Sequence, residues 1–144
     1  MTTQAATADG TSRNLWKSTR AVLVGFIVVF VLSLGTDQVF HSLGIYPPWG
    51  ETMQDNGLFA LALGYRLVYQ VLGSYLTARL APRNPMRHVW VGAFIGLVLS
   101  VLGLIANIVG SLGPNWYPIA LAASVLPCAW LGGMLHVRRS AAAR

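Results

Sequence analysis

Long apolar segments, separated by short polar ones, dominate the pattern of this chain. They predict four helices, at about residues 18–43, 57–80, 85–110 and 116–136. A membrane-spanning helix needs about 20 apolar residues. The last three segments meet this length directly, and the first does so when its final polar turn is counted. Because lipid excludes unpaired backbone groups, such segments are expected to be helical. The pattern therefore predicts an all-α fold, an integral membrane four-helix bundle.

Turn-forming residues mark the ends of these predicted helices. Gly44 is expected to cap the first helix at its C-terminus, and Pro82 to stop the second. Asn84 and Pro85 are expected at the N-cap and first helical position of the third helix. Pro127, inside the fourth helix, is expected to kink it.

The helices divide the chain into a disordered tail at 1–14, a transmembrane domain at 15–137 and a basic tail at 138–144. The first tail is polar and rich in Ala and Thr, which favours disorder. Residues 1–35 could alternatively be a cleaved signal peptide, with a basic region, an apolar stretch and small residues before the cut. The long basic region and the Thr-Asp-Gln sequence that follows make this alternative the less favoured one.

Basic residues are distributed unevenly along the chain. Of ten Lys and Arg residues, nine lie in the two tails or in the loop between the second and third helices. They are Arg13, Lys17, Arg20, Arg79, Arg83, Arg87, Arg138, Arg139 and Arg144. The other two loops have none, and cytoplasmic loops are the ones rich in Lys and Arg. Both termini are therefore predicted to face the cytoplasm, with anionic lipid headgroups as partners of these side chains.

Composition agrees with a membrane location and excludes several kinds of chemistry. The chain is 55% hydrophobic and 10% charged, against about 25% charged residues in soluble domains. The net charge of +6 is explained by the basic loops, and no nucleic-acid partner is predicted. The single cysteine, Cys128, excludes an intrachain disulfide, a CxxC motif and a cysteine zinc cluster. There is no phosphate-binding glycine loop and no zincin motif.

The second and third helices each divide into two faces at helical spacing. One face of the second helix carries Phe59, Ala62, Arg66, Tyr69, Gln70, Gly73 and Thr77, and the other carries Leu61, Val68, Val71, Leu72 and Tyr75. The third helix has a face of small or polar residues, Gly92, Gly96, Ser100, Gly103, Asn107 and Gly110, opposite Phe94, Leu97, Val98, Val101, Ile105 and Ile108. Membrane helices meet where small residues let their backbones approach. The glycine face is thus predicted to pack inside the monomer, with a homo-oligomer contact as the alternative.

Both loops on the non-cytoplasmic side contain aromatic residues and proline, in "IYPPWGETMQDNG" and "SLGPNWYPIA". Trp49, Trp116 and Tyr117, with Tyr46, are typical of the aromatic belt at a membrane–water boundary. They are predicted to be interfacial anchors rather than parts of a recognition loop.

Arg66 lies within the apolar stretch "LFALALGYRLVYQVLGSYL", where a charge is costly and is usually paired or functional. It is 13 residues from Arg79, about 20 Å along a helix, and Asp37 is 17 residues from Arg20, about 25 Å. The two therefore lie at nearly the same depth. Asp37 is also the one acid expected within a helix, so an Arg66–Asp37 ion pair is predicted.

A polar cluster at this depth would comprise Arg66, Asp37, His41, Tyr69, Gln70 and Asn107. We predict first that it is the periplasm-facing site of a binding or transport-like module. The alternative is a structural or accessory protein in which the ion pair only fixes the helices. An enzyme is the least favoured class, because no serine or cysteine nucleophile lies at this level. A metal site built on Asp37 and His41 is also disfavoured, since the other histidines lie on the opposite side; no metal and no cofactor are predicted.

The segments "YPPWG", "LGYRLVY", "LGPNWYP" and "LPCAWLGG" resemble those of uncharacterised small bacterial inner-membrane proteins. The resemblance runs from Thr36 to Gly133, roughly two thirds of the chain. It implies a bacterial inner-membrane location and a multi-pass, four-helix form. It implies no activity, and no functional residue is taken from it.

Overall fold

The structure, a computed structural model, describes the backbone of residues 2–143 and the side chains of residues 14–143. This part of the chain forms four helices: α1 (Thr2–Ser42), α2 (Asn56–Leu80), α3 (Pro85–Gly110) and α4 (Trp116–Ala142). The prediction of an all-α, four-helix fold is confirmed. The two middle helices begin and end within one residue of the predicted positions.

The outermost ends of the first and last helices extend further than predicted. α1 begins at Thr2 rather than near residue 18, and α4 continues through Pro127 to Ala142 rather than ending near His136. Once a helix exists, each added residue gains a hydrogen bond at little cost, and neither extension contains a proline. Disorder of the 1–14 tail in solution stays a prediction.

Gly44 and Asn84 occupy the predicted cap positions, and the structure adds Asp55 as a cap that sequence analysis did not name. Gly44 follows α1 with a φ of +70°, the left-handed conformation that glycine adopts at a helix C-terminus. Asp55 caps α2, accepting hydrogen bonds from the backbone N–H of Gly57 at 2.6 Å and of Leu58 at 3.2 Å. Asn84 occupies the N-cap position of α3 but has a φ of 47°, and its side chain makes no capping bond. Pro85, directly after it, supplies the fixed backbone angle of the first turn.

The helices run alternately up and down, and α2 is at the centre. α2 packs against α1, α3 and α4, whereas α1 and α4 do not meet in the described part of the chain. We call the end that carries Lys17, Arg79 and Arg87 the basic end, and the end that carries Asp37 and Asp55 the acidic end. A small apolar core, Ala78, Val89, Ala93, Val125 and Ala129, lies toward the basic end.

Three of the helices are long and apolar enough to cross a membrane: α1 from Asn14, α3 and α4. α2 is not among them, because its inward face carries Arg66, Gln70 and several tyrosines. Large apolar side chains are exposed over much of the surface, among them Phe30 at 64% and Val109 at 82%. An apolar surface of this extent is not stable in water. These features indicate a membrane protein.

The closest contacts between helices are made by glycines that sequence analysis had not singled out for packing. Gly25 of α1 faces Gly73 of α2, and a Cβ at Gly73 would lie 2.8 Å from the carbonyl oxygen of Gly25. Gly132 of α4 packs on the backbone of α2 in the same way, where a Cβ would lie 2.9 Å from the backbone nitrogen of Tyr75. α2 is therefore held on two sides by glycine contacts at backbone distance.

The predicted glycine face of α3 packs over only part of its length. A Cβ at Gly92 or Gly96 would make ordinary contacts at 3.5–3.8 Å, with Val22, Phe26 or Val125. Ser100 is half-buried farther along the same face.

Two residues of α3 correct the predicted division into faces. Gly103 is exposed and faces open space, so it does not pack within the chain. Leu97, predicted to face lipid, instead packs against the core. The reason is that α3 approaches its neighbours through Val89 and Ala93, about one residue round the helix from the glycine face.

Candidate functional site

Arg66 and Asp37 form an ion pair between α2 and α1. Nη2 of Arg66 lies 2.6 Å from Oδ2 of Asp37, and the two side chains are 28% and 11% exposed. This distance confirms the predicted pairing. It is the one salt bridge among residues 14–143. Because a buried carboxylate is costly unless paired, the guanidinium group explains how Asp37 is tolerated inside the bundle.

The antiparallel packing of α1 and α2 brings these two charges together. Asp37 lies in the last two turns of α1, and Arg66 lies 11 residues after the N-cap Asp55 of α2. The acidic end of α1 is therefore beside the first half of α2. Tyr69, one turn further along α2, bonds to Thr36 of α1 at 2.8 Å between the two hydroxyl oxygens. This second contact fixes the relative height of the two helices.

Three tyrosines complete the site. The Tyr65 hydroxyl donates to Oδ1 of Asp37, and the Tyr46 hydroxyl lies 3.2 Å from that of Tyr65. Since the single hydroxyl proton of Tyr65 is used on Asp37, Tyr46 is the donor in the second bond. On the other side, Nη1 of Arg66 donates to the hydroxyl of Tyr117. We call these five residues the Arg66 cluster.

The same tyrosines also shield the guanidinium group. Cζ of Arg66 lies 5.9 Å from the ring centre of Tyr65 and 5.8 Å from that of Tyr117, within the range of cation–π attraction. Tyr46 is 5% exposed. Its burial raises the pKa of the hydroxyl above the ordinary value of 10.0, so Tyr46 keeps its proton at neutral pH. The Arg66 cluster thus joins α1, the first loop, α2 and the start of α4.

Three of the predicted site residues lie next to the Arg66 cluster, and one lies elsewhere. The ring of Tyr69 lies 5.8 Å from that of Tyr65, and Gln70, one turn after Arg66, has its side-chain oxygen 3.4 Å from the Ser124 hydroxyl. The ring of His41 lies 5.4 Å from that of Tyr46, and its Nδ1 lies 2.6 Å from the carbonyl oxygen of Pro47. Asn107 donates to the carbonyl of Gly113 and the side chain of Asn115, both in the α3–α4 turn.

The predicted interfacial anchors have different surroundings. Trp49 is 65% exposed, and its ring stacks on His41 at 4.0 Å between centres. Trp116 is 38% exposed and donates to the side chain of Asn56 at 2.7 Å. Tyr117, by contrast, is half-buried against Arg66. The prediction that Tyr117 is an interfacial anchor like the two tryptophans is therefore incomplete, because its hydroxyl also accepts a hydrogen bond within the Arg66 cluster.

Three members of the Arg66 cluster, Tyr46, Tyr65 and Tyr117, were not placed in it by sequence analysis. Tyr46 and Tyr117 come from loop or helix-start positions, whose approach to the cluster depends on turn geometry rather than helical period. Tyr65 stands beside Arg66 in the sequence. Neighbouring residues on a helix point about 100° apart, so adjacency alone did not indicate a shared partner.

The chemistry available at the Arg66 cluster is that of hydrogen bonding and charge. Nε of Arg66 is buried and has no hydrogen-bond partner in the described part of the chain. Within that part, no three His, Cys, Asp or Glu side chains come together to hold a metal ion. A deeper groove of about 230 Å³ between the helices is lined by Gln70 and Gly73, but not by Arg66 or Asp37.

Comparison with known proteins found no matching family model, no matching curated protein and no matching solved structure.

Proposed function

We propose that this chain is a four-span protein of a bacterial inner membrane, with both termini in the cytoplasm. The length of α2, 25 residues or about 37 Å, supports its inclusion as a fourth span. Its polar side chains face inward, where lipid does not meet them. The basic end carries all described Lys and Arg side chains except Arg66, which supports a cytoplasmic orientation of that end.

We further propose that the protein is a structural or accessory membrane protein and that the Arg66 cluster is an internal tie. The observation that carries this proposal is that Arg66 and Asp37 find their partners inside the chain. Nη1 and Nη2 of the arginine and both carboxylate oxygens are hydrogen-bonded. A charge satisfied in this way fixes the register of the helices. It also leaves less capacity to hold an external ligand.

The second candidate function is the periplasm-facing binding or transport-like module. The 28% exposure of the Arg66 side chain favours it, together with its Nε, which is buried but unpartnered within the described residues. A guanidinium donor without a partner is a natural binding group for an anion. In this alternative the tyrosines would position Arg66 for a ligand that enters from the acidic end.

A double-mutant cycle tests the tie. Arg66→Ala and Asp37→Ala should each lower the thermal stability of the detergent-purified protein, because each leaves a buried charge without its partner. The typical cost is about 3–5 kcal/mol and is smaller where water reaches the arginine. The double variant should recover part of the loss. Purely additive losses would show that the pair is not coupled.

Exchanging the charges separates the two functions. In Arg66→Asp with Asp37→Arg, the pair is restored with its direction reversed. If the Arg66 cluster is only a tie, this variant should complement a deletion strain as well as the native protein does. Recovery of stability without complementation would instead support the ligand-binding module.

A further inference from the structure

A second site lies at the basic end, in a cleft between α1 and α3. The cleft has a volume of about 550 Å³, and its polar rim includes Ser18 of α1 and Arg83 in the turn before α3. Arg87 and His88, in the first turn of α3, complete this rim. We call this space the α1–α3 cleft. It is far from the Arg66 cluster, at the other end of the bundle.

The rim concentrates positive charge that no described carboxylate neutralises. Arg83 and Arg87 are exposed, and the first turn of α3 contains no acidic residue. The described acids, Asp37, Glu51 and Asp55, all lie in the α1–α2 connection or at its edges, toward the acidic end. The N-terminal end of a helix adds a partial positive charge of its own. The rim is therefore complementary to an anion from outside the described chain.

A histidine holds the two walls of the rim together. Nε2 of His88 lies 2.9 Å from the hydroxyl oxygen of Ser18, and Nδ1 lies 3.2 Å from the carbonyl oxygen of Asn84. Because a carbonyl oxygen only accepts, Nδ1 carries a proton and donates to Asn84. The cleft is thus bounded by a bonded contact between α1 and α3.

The rest of the cleft is apolar and extends along the helices. Leu23, which lines it on α1, is five residues past Ser18, and Ile95 on α3 is seven residues past His88. These separations correspond to about 7 and 10 Å of helix. Leu23 and Ile95 are 50% and 43% exposed. A ligand that fills the cleft therefore needs a negative headgroup and a hydrocarbon chain.

We propose that the α1–α3 cleft binds an anionic phospholipid, with its phosphodiester at Arg83 and Arg87 and an acyl chain along Leu23 and Ile95. Basic pockets between membrane helices take lipid headgroups of this kind. The inference rests on the proposed membrane spans but not on the role of the Arg66 cluster. In the proposed orientation the lipid comes from the cytoplasmic leaflet.

Lipid titration followed by native mass spectrometry tests the site. The detergent-purified full chain is titrated with phosphatidylglycerol or phosphatidylcholine of identical acyl chains, and the one-to-one adduct is measured. Both lipids carry a phosphodiester, but the choline cation of phosphatidylcholine cancels its net charge and is repelled by the two arginines. We therefore expect phosphatidylglycerol to bind about tenfold more tightly. Equal binding of the two lipids would overturn the proposal. Since a micelle exposes both ends of the protein, this result does not depend on the orientation of the chain in the membrane. Reporter fusions test that orientation separately.

A charge-matched pair of variants distinguishes the cleft from general surface attraction. Arg83→Gln with Arg87→Gln should weaken phosphatidylglycerol binding about tenfold. Arg20→Gln with Arg79→Gln removes the same charge from exposed side chains at the same end that do not line the cleft. This control should change binding by less than about threefold, because exposed charges away from the lipid are screened by salt. An equal loss in both double variants would show that no specific site exists.

Filling the cleft tests its shape without changing charge. Thr19 is exposed and lines the cleft, so Thr19→Trp should abolish the one-to-one phosphatidylglycerol adduct. Ala123→Trp, on the exposed side of α4, should leave it intact. Circular dichroism confirms that both variants stay helical. Unchanged binding in Thr19→Trp, or displacement of the lipid by an equal concentration of inorganic phosphate, would refute a phospholipid site.

Discussion

Arg66 is held at both ends of its guanidinium group, by Asp37 of α1 and by Tyr117 of α4. Helical rise alone predicts the first contact, because it places Arg66 and Asp37 at similar depth on neighbouring helices. The contact with Tyr117 depends on where the α3–α4 turn leaves the first residues of α4. At the scale of the residue, the ion pair is therefore readable from sequence, whereas the tyrosine shell is not.

The hydroxyl of Tyr117 should contribute measurably to stability. Tyr117→Phe removes the acceptor of a charge-assisted bond from Arg66 while keeping the aromatic ring. We expect the free energy of unfolding to fall by about 1–2 kcal/mol, since such bonds exceed neutral ones. Thermal denaturation in detergent measures this loss.

Tyr75 provides the control for this change. Tyr75 is in α2, as Arg66 is, and its ring contacts that of His136 edge-on at 5.6 Å between centres. Its hydroxyl makes no hydrogen bond to the side chains of residues 14–143. Tyr75→Phe should be nearly neutral. If both variants lose the same stability, the loss does not come from the Arg66–Tyr117 bond.

At the scale of the helix, glycine has two different roles in this chain. Gly73 and Gly132 allow α2 to meet α1 and α4 at backbone distance, whereas Gly103 of α3 faces open space. The regular spacing of small residues on α3 had instead predicted that the glycines of α3, including Gly103, make the close helix contacts. The spacing of small residues identifies a helix face that can approach a neighbour, but contact forms only where a neighbouring helix lies against that face.

Alanine substitution should therefore have opposite effects at two glycines. At Gly73, a Cβ would lie 2.8 Å from the carbonyl oxygen of Gly25, and backbone cannot move aside without separating the helices. Gly73→Ala should destabilise the protein by about 1–3 kcal/mol. Gly103→Ala should be neutral or stabilise it by about 0.5 kcal/mol, because alanine restricts the unfolded chain.

Thermal unfolding of both variants in the same detergent measures the difference. Both changes add one methyl group to the middle part of a helix, so they are matched in chemistry. A loss of stability at Gly103 as large as that at Gly73 would mean that the outer half of α3 packs against a second copy of the chain.

At the scale of the whole molecule, α2 is the central element. It packs against all three other helices, as α3 also does, and it carries Arg66 and Gln70 inside the bundle. α1, α3 and α4 surround it with exposed apolar side chains. This arrangement explains why α2 is not among the three helices apolar enough to cross a membrane by composition, although we propose that it does.

The proposed topology predicts the location of three points in the chain. Reporter fusions after residue 144 and within residues 82–85 should be cytoplasmic, because the adjoining segments are rich in arginine. A fusion at Glu51, in the loop without Lys or Arg, should be periplasmic. A periplasmic C-terminus would contradict either the four spans or their orientation.

The sequence by itself determined the four helices, most of their ends and the depth of the buried charges. These properties follow from apolar length, from proline and glycine at the turns, and from a constant rise per residue. Helical spacing also grouped Phe59, Ala62, Gly73 and Thr77 on one face of α2, and the structure shows that this face is the buried one.

Only the tertiary structure decided which helices meet and which side chains reach Arg66. Tyr117 bonds Arg66 directly, and Tyr46 joins the Arg66 cluster through Tyr65. His41 packs on the Tyr46 ring without reaching Arg66, and Asn107 bonds its own loop. The α1–α3 cleft likewise arises from two helices far apart in sequence. Such contacts depend on the relative placement of helices, and the periodicity of a single helix contains no information about its partner.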